Sequence, residues 1–365
     1  MDKVDVVVIG AGQAGLSSAY FLRRFGFAPG AGFVVLDAGD GPGGAWRHRS
    51  PTLTMDKVHD VFDLPGTHRE QAGLTLPAAS VVPGYYAAYE RRFELPVLRP
   101  VTVRAVTRGE RGRLLVSGPA GRWAARAVVN ATGTWTRPHW PYYPGAADFR
   151  GRQLHYADYR GPDGFAGLDV VVVGGGTSAA HVLSEVADVA AGTMWLTRRP
   201  PVFHDGAFGE EMRREAVARV EQRVRAGLPP GSVVGATGLG YTVTVRQARE
   251  KGVLNRLPMF SRILPDGVQW ADGHTAHADV IVWATGFRSA IDHLAPLRLR
   301  EAGGGIRLDG TRVVAEPRLH LVGYGPSAST IGANRAGRAA AAEIRDLLRE
   351  PAASDTAQHA MTQPT

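Results

Sequence analysis

Glycines stand at positions 10, 12 and 15, and Gly174, Gly176 and Ala179 repeat the same spacing far along the chain. Residues of that type at those intervals hold phosphate. The first permits a tight turn and the second lets the backbone approach a pyrophosphate. The third lets a helix pack closely on the preceding strand, so that the helix's amino-terminal N–H groups meet the anion. Gln13 and Ala14 complete the first loop, Thr177 and Ser178 the second. What separates the two is the charge at the end of the strand that follows. Asp37 lies 22 residues past Gly15, close to the spacing of about 20 at which a carboxylate accepts from a ribose hydroxyl. The second unit's strand ends instead in Arg198 and Arg199, whose donor forks match a 2′-phosphate that a carboxylate would repel. The first unit therefore reads as a site for a dinucleotide with a free ribose, such as FAD, and the second as a site for NADP(H). In a chain this rich in arginine, an ordinary surface role for Arg198 and Arg199 stays open.

The elements that must position these residues follow from hydrophobic runs. Val6 to Ile9 and 168–173 read as buried parallel strands, each handing over through its glycine loop to a helix (16–25 in the first unit). Phe33 to Leu36 and Thr193 to Thr197 supply the next strand of each unit. Two further apolar strands, 127–133 and 278–286, both close in Ala-Thr-Gly. This puts Thr132, Gly133, Thr285 and Gly286 at a carboxyl edge, beside a cofactor or at a crossing between domains. A last strand, 319–323, ends in Gly323 and leads to a helix over 334–348. Ser327, Ser329 and Thr330 between them could cap that helix. Residues 208–227 read as a solvent-facing helix rich in Glu and Arg. The expected fold is α/β, with two Rossmann-like dinucleotide-binding domains. An FAD-binding domain of 1–160 and 285–350 is interrupted by an NADP-binding domain of 161–284, and 351–365 form a disordered tail.

The totals limit the function classes. The net charge of +8 over 365 residues is carried almost wholly by arginine, with lysine only at Lys3, Lys57 and Lys251. No basic run interleaves with aromatics, so a nucleic-acid partner is not expected. The chain has no cysteine, which removes disulfides, thiolate metal sites and dithiol redox chemistry and suits a reducing cytosol. No apolar run reaches the length of a membrane span. The expectation is a cytoplasmic protein without membrane association. There is no H-E-x-x-H and no G-x-S-x-G, and no metal site is expected.

These residues resemble the flavin-containing monooxygenase class of two-dinucleotide-binding-domain flavoproteins. The resemblance runs through the two glycine loops, Gly43-Gly44-Ala-Trp46, Ala131-Thr-Gly133 with Pro138, and Ala284-Thr-Gly286. It rests above all on residues 149–159, FRGRQLHYADY, which fit that class's F-x-G-x-x-x-H-x-x-x-aromatic signature through Phe149, Gly151, His155 and Tyr159. The resemblance implies that Gly44 and Trp46 lie by the flavin and that NADPH reduces bound FAD. The reduced flavin then captures dioxygen as a C4a-(hydro)peroxyflavin, which oxygenates a nitrogen or sulfur centre of a small molecule. The helix after residue 330 would aim its N-terminus at the flavin's pyrimidine edge. Such chemistry needs a dry pocket, which Trp135, Trp140, Tyr142 and Tyr143 could wall, unless they serve interdomain packing. Tyrosine rather than tryptophan at the last signature position favours heteroatom oxygenation over Baeyer-Villiger insertion into a ketone. Eukaryotic members carry an asparagine near the flavin that residues 53–65 lack, leaving Asp56 and His59, with the signature's His155, as polar candidates at the reacting centre. The chain is short for the class, which implies that a dedicated substrate domain or lid is missing. A flavoprotein reductase or oxidase serving another acceptor, and a non-catalytic nucleotide sensor, are the competing readings. A homodimer is left open.

Overall fold

The structure, a computed structural model, describes residues 1–58, 61–204, 210–231 and 238–349. The expectations placed on His59 and on the tail 351–365 lie outside the described residues.

Two parallel sheets carry the chain. In the first, β1 (Asp2–Ile9) lies between β2 (Phe33–Leu36) and β6 (Gly121–Asn130), parallel to both, and β2 pairs in turn with β3 (Val97–Leu98). An antiparallel hairpin of β4 (Ala105–Arg108) and β5 (Leu114–Gly118) branches from β6. The chain's last strands, β17 (Leu308–Asp309), β18 (Arg312–Val313) and β19 (Glu316–Leu321), return to the same sheet, β19 pairing parallel with β6. Val6, Val7 and Val8 are wholly buried, which is why this run shows no alternation: both faces are covered, one by helices and the other by the β4–β5 hairpin and the 3-10 turn Asp292–Leu297. Helix α1 (Gln13–Arg24) packs on the carboxyl-terminal helix α6 (Thr330–Arg349) so tightly that a Cβ on Gly337 would stand 2.8 Å from Ser17 Oγ. Helix α2 (Ala78–Arg92) lies on the same core through Tyr86 and Tyr89.

The second sheet has the order β12 (Arg256–Leu257), β9 (Gly192–Leu196), β8 (Asp169–Val173), β16 (Val280–Trp283), β7 (Arg152–His155), all parallel. Helices α3 (Thr177–Val186) and α5 (Val243–Glu250) pack together on one face, and a meander of β13 (Arg262–Leu264), β14 (Gly267–Gln269) and β15 (Thr275–His277) covers the other with Phe260 and Trp283. A short parallel pair, β10 (Phe203–His204) and β11 (Leu239–Gly240), flanks it.

Two features differ from the expectation. Strand β7 belongs to the second sheet, so the chain enters the second unit ahead of residue 152 rather than at 161. Helix α4 (Glu210–Arg225) is not wholly solvent-facing: Ala216, Val220 and Val224 are buried. Their four-residue spacing puts a narrow apolar stripe on one helix face. Val224 joins the first sheet's core, and a Cβ on Gly325 would stand 3.0 Å from its Cγ2. Among the described residues no helix is long and apolar enough to cross a membrane.

Candidate functional site

The two glycine loops have the same physical design. Gly10 adopts φ +97°, and a Cβ there would stand 2.7 Å from Ala131 O; a Cβ on Gly15 would stand 1.8 Å from Gly10 O. In the second loop Gly174 adopts φ +144° with Ala284 O 2.2 Å from the position of a Cβ. The middle glycines behave oppositely, since a Cβ on Gly12 or Gly176 would meet nothing within 4 Å. Each is also the N-cap of its helix, with no side chain capping the first turn and no acidic residue in it. The amino-terminal N–H groups of α1 and α3 are thus left for an anion that enters through the open side. Gly44, at φ +51°, closes over the first loop, a Cβ there lying 3.0 Å from Gly12 Cα. The residues fit two bound dinucleotides.

Around the first cradle polar groups are fixed. Gln13 donates to Asn334 Oδ1 (2.8 Å) on α6 and accepts from the Tyr86 hydroxyl (2.5 Å). Ala14 is buried against Gly323, a Cβ on the latter lying 3.3 Å from Ala14 Cβ. Asp37 accepts from the Ala11 N–H (3.3 Å) and from Arg99 Nε (2.6 Å), while Arg99 Nη1 and Nη2 each donate at 2.7 Å to Glu90. At the second cradle the strand end is bare. Arg198 and Arg199 are exposed, and among the described residues their guanidinium groups make no hydrogen bond or ion pair. Beside them Arg256 on β12 donates to the Thr197 carbonyl at 3.0 Å.

The two Ala-Thr-Gly strand ends form the hinge. The Thr132 hydroxyl donates to Ala290 O (2.7 Å) and the Thr285 hydroxyl to His139 O, so each threonine ties its strand to one chain crossing. The two crossings pair antiparallel at Pro138 and Phe287. Gly133 (φ +60°) and Gly286 (φ +78°) open on empty space, and only glycine adopts that conformation without strain.

The signature residues hold this hinge to the second sheet. Phe149 packs on the core around Trp283, and Gly151 passes a carbonyl, a Cβ there lying 2.3 Å from Asp279 O. His155 is fully buried: Nδ1 accepts from the Ala157 N–H (3.1 Å), which leaves Nε2 to donate to Gly286 O (3.0 Å). Burial holds its pKa below the ordinary histidine value, so the ring is neutral with both nitrogens engaged. Its place is in the hinge, with the ring edge on Phe287. The Tyr159 hydroxyl donates to Glu185 Oε2 (2.9 Å), and Glu185 also takes Thr52 (2.7 Å), Lys57 (2.9 Å) and His181 (3.1 Å). Burial alone would push this carboxyl up, but His181, Lys57 and Thr52 hold it down at about 2. A single carboxylate on α3 thereby fastens the loop after Trp46 to the second unit.

The remaining expectations fall elsewhere. Asp56 is exposed and accepts from Thr54. Trp135 stacks on Phe287 with centroids 4.9 Å apart, and Tyr143 on Trp283 at 5.9 Å, whereas Tyr142 is 88% exposed and walls nothing. Ser329 Oγ accepts from the Gly332 N–H at the start of α6, and Ser327 bonds within its own turn to Tyr324. Ser178 opens α3 beside the Tyr156 hydroxyl. Asp169, His277 and Asp279 bring three oxygen or nitrogen atoms within 4.8 Å at the amino edge of the second sheet, opposite the cradles. The sequence reading missed Arg99, Lys57, Glu185 and Arg256. Each has a partner far along the chain, Arg99 with Asp37 across 62 residues, Lys57 with Glu185 across 128 and Arg256 with Thr197 across 59, and no local motif marks it.

Comparison with known proteins agrees with this geometry. The pattern of the pyridine nucleotide-disulphide oxidoreductase family matches residues 7–234. A solved flavin-containing monooxygenase from Stenotrophomonas maltophilia superposes with a TM-score of 0.79 at 38% identity, covering 95% of this chain and 100% of that one; a double mutant of that enzyme gives 0.81. An indole-3-pyruvate monooxygenase of Oryza sativa, YUCCA4, is 27% identical over 80% of this chain and 76% of its own. An uncharacterized CzcO-like oxidoreductase of Geobacillus kaustophilus is 24% identical over 78% and 81%.

Proposed function

The chain belongs to the pyridine nucleotide-disulphide oxidoreductase family, on its flavin monooxygenase branch, and from that premise we propose that it oxygenates a soft nitrogen or sulfur centre of a small molecule. It is a flavin-dependent oxidoreductase whose cofactors are FAD and NADPH. The observation that carries the assignment of their places is the pair of uncapped helix starts, each opening at a glycine with empty space beside it. In this reading Gly10 to Gly15, Gly44 and Trp46 hold FAD, with Asp37 accepting from its ribose. Gly174 to Ser178 hold the NADPH pyrophosphate, and Arg198 and Arg199 take its 2′-phosphate.

Held at these two cradles, FAD and NADPH would supply the redox chemistry that oxygenation with dioxygen requires. The protein's own residues position and enclose. The Glu185 cluster and the two threonine ties set the distance between the cradles, and the neutral His155 holds the return crossing. The indoles of Trp46 and Trp135 exclude water from the seam between the domains. Heteroatom oxygenation is preferred to ketone insertion because Tyr159, where Baeyer-Villiger relatives carry tryptophan, anchors Glu185 through its hydroxyl. The rice relative acts on indole-3-pyruvate, and a small organic acid is a suitable first substrate to try.

The test is a stopped-flow measurement on the flavin-loaded protein, reduced with NADPH and mixed with oxygenated buffer. Oxygenation predicts a long delay before oxidised flavin returns and one labelled oxygen atom from dioxygen in the N-oxide or sulfoxide formed from an amine or thioether substrate. Immediate reoxidation with stoichiometric hydrogen peroxide would replace it with the reductase or oxidase reading.

A further inference from the structure

Arg49 is a charge without a counterpart. It follows the short 3-10 turn Gly44–His48 that carries Trp46, in an extended conformation. Its guanidinium carbon lies 4.4 Å from the centroid of the Trp135 ring and 5.7 Å from that of Trp46. Nε is buried with no hydrogen-bond partner, and among the described residues the guanidinium makes no hydrogen bond or ion pair. Arg47 also has a buried Nε without a partner, but its Nη2 reaches Asp40 at 2.7 Å, and Arg160 reaches the His48 carbonyl at 3.0 Å.

An indole face attracts a cation but satisfies none of the five guanidinium donors, and burying Nε unpaired is unfavourable. Contact with two indoles restricts the group, and a ring face leaves the guanidinium's N–H edge for a planar, bidentate acceptor. Trp135 is itself held by its stack on Phe287, so the slot is built before any ligand arrives. Its location spans both units. Trp46 belongs to the first cradle and Trp135 to the outbound crossing. Tyr156, close enough to Arg49 to interact electrostatically, bonds His181 Nδ1 on α3 at 3.1 Å.

We infer that Arg49 is an oxyanion receptor, taking two oxygens of a carboxylate or phosphate on a small molecule seated between the domains. With FAD already in the first cradle, the proposed function leaves two sources of such a group: NADPH through its pyrophosphate, or an oxygenation substrate through a carboxylate. The inference relies on the proposed function only in placing both molecules in this seam.

The experiment titrates flavin-loaded, oxidised protein with NADP⁺, with phenylacetate and with phenylacetamide, following tryptophan fluorescence, in the wild type, Arg49→Lys and Arg49→Met. Arg49→Met is expected to raise the dissociation constant for NADP⁺ or for phenylacetate by about 10- to 100-fold, the range of one charge-assisted bidentate contact. Arg49→Lys recovers part of it, and phenylacetamide binding stays unaffected. A loss confined to NADP⁺ identifies the pyrophosphate, and one confined to phenylacetate identifies the carboxylate. Unchanged constants for both anions at full flavin content overturn the inference. Should Arg49→Met fail to fold, phenylglyoxal labelling of the wild type decides, with peptides mapped by mass spectrometry. Protection of Arg49 by either anion supports the receptor, and equal labelling with and without both overturns it. None of these readouts requires turnover, so a protein that binds anions at Arg49 yet never oxygenates would sink the proposed function and leave this inference standing.

Discussion

The first and second cradles share a turn and differ in the charge at the end of the strand that follows. At the first, Asp37 is matched by Arg99, and Arg99 by Glu90, in a triad whose side chains are each only 12% exposed. At the second, Arg198 and Arg199 stand exposed, with no acidic partner among the described residues. The same backbone device is thus supplied with opposite charge: a paired carboxylate in one unit and exposed guanidinium groups in the other, which the proposed function takes as an acceptor for hydroxyls and donors for a 2′-phosphate. On the proposed function, loop shape sets where a dinucleotide lies and the neighbouring charge sets which dinucleotide it is.

The largest effect should come from the shared part. Gly15→Ala places a methyl where only 1.8 Å separates it from Gly10 O, so it should abolish flavin retention, read as the flavin-to-protein absorbance ratio. Gly12→Ala and Gly176→Ala, with empty space beside them, should fold with unchanged circular dichroism. Comparable folding of Gly15→Ala would refute the close-packed turn.

Next comes the part that differs. Arg99→Met leaves Asp37 and Glu90 as buried carboxylates without their cation, which should cost about 3 kcal/mol in a urea titration and lower flavin content. Arg198→Gln with Arg199→Gln removes no internal partner and should leave stability unchanged. The double variant should weaken NADPH binding by about 10- to 100-fold while NADH binding stays as it was. Equal losses for both nucleotides would remove the 2′-phosphate assignment.

Acid should separate the two units as well. His293, bonded to Asn130, and His320, bonded to Thr311, both belong to the first sheet's unit, and burial pushes each down from 6.5 to about 4. A histidine whose folded pKa is depressed contributes stability above its unfolded pKa and loses it as pH falls through 6.5 towards 4. Each difference amounts to roughly 3 kcal/mol at most. The Glu185 carboxyl, held at about 2, keeps its contribution until below pH 4.5. Flavin should therefore be released between pH 6.5 and 4 while the Glu185 tie is still ionised. Retention of flavin through that window would contradict the assignment. The smallest effect is Tyr159→Phe, which removes one of four donors to Glu185 and should lower stability by about 1 kcal/mol.

Both cradles were legible because they are local: a turn, a close approach and a helix start are written in consecutive residues. The strand-end charges were legible for the same reason. The stripe Ala216, Val220 and Val224 was also present in the sequence, hidden beneath a helix whose other positions are charged. What sequence could not convey is long-range pairing. Arg99 reaches Asp37 across 62 residues and Glu185 reaches Lys57 across 128. The signature's His155 looked chemical as a residue type, but folding commits both its nitrogens to backbone groups. Asp56 suited the reacting centre by position in the chain, and the turn at Thr54 carries it to the surface.

The most direct test of two cradles facing one seam is anaerobic reduction of the flavin-loaded protein, followed in the visible band of oxidised FAD. The account predicts that the purified chain binds FAD and that NADPH bleaches the band fully, and at low nucleotide concentration faster than NADH does. A chain that takes up no FAD, or a bound flavin that NADPH leaves oxidised, would contradict it.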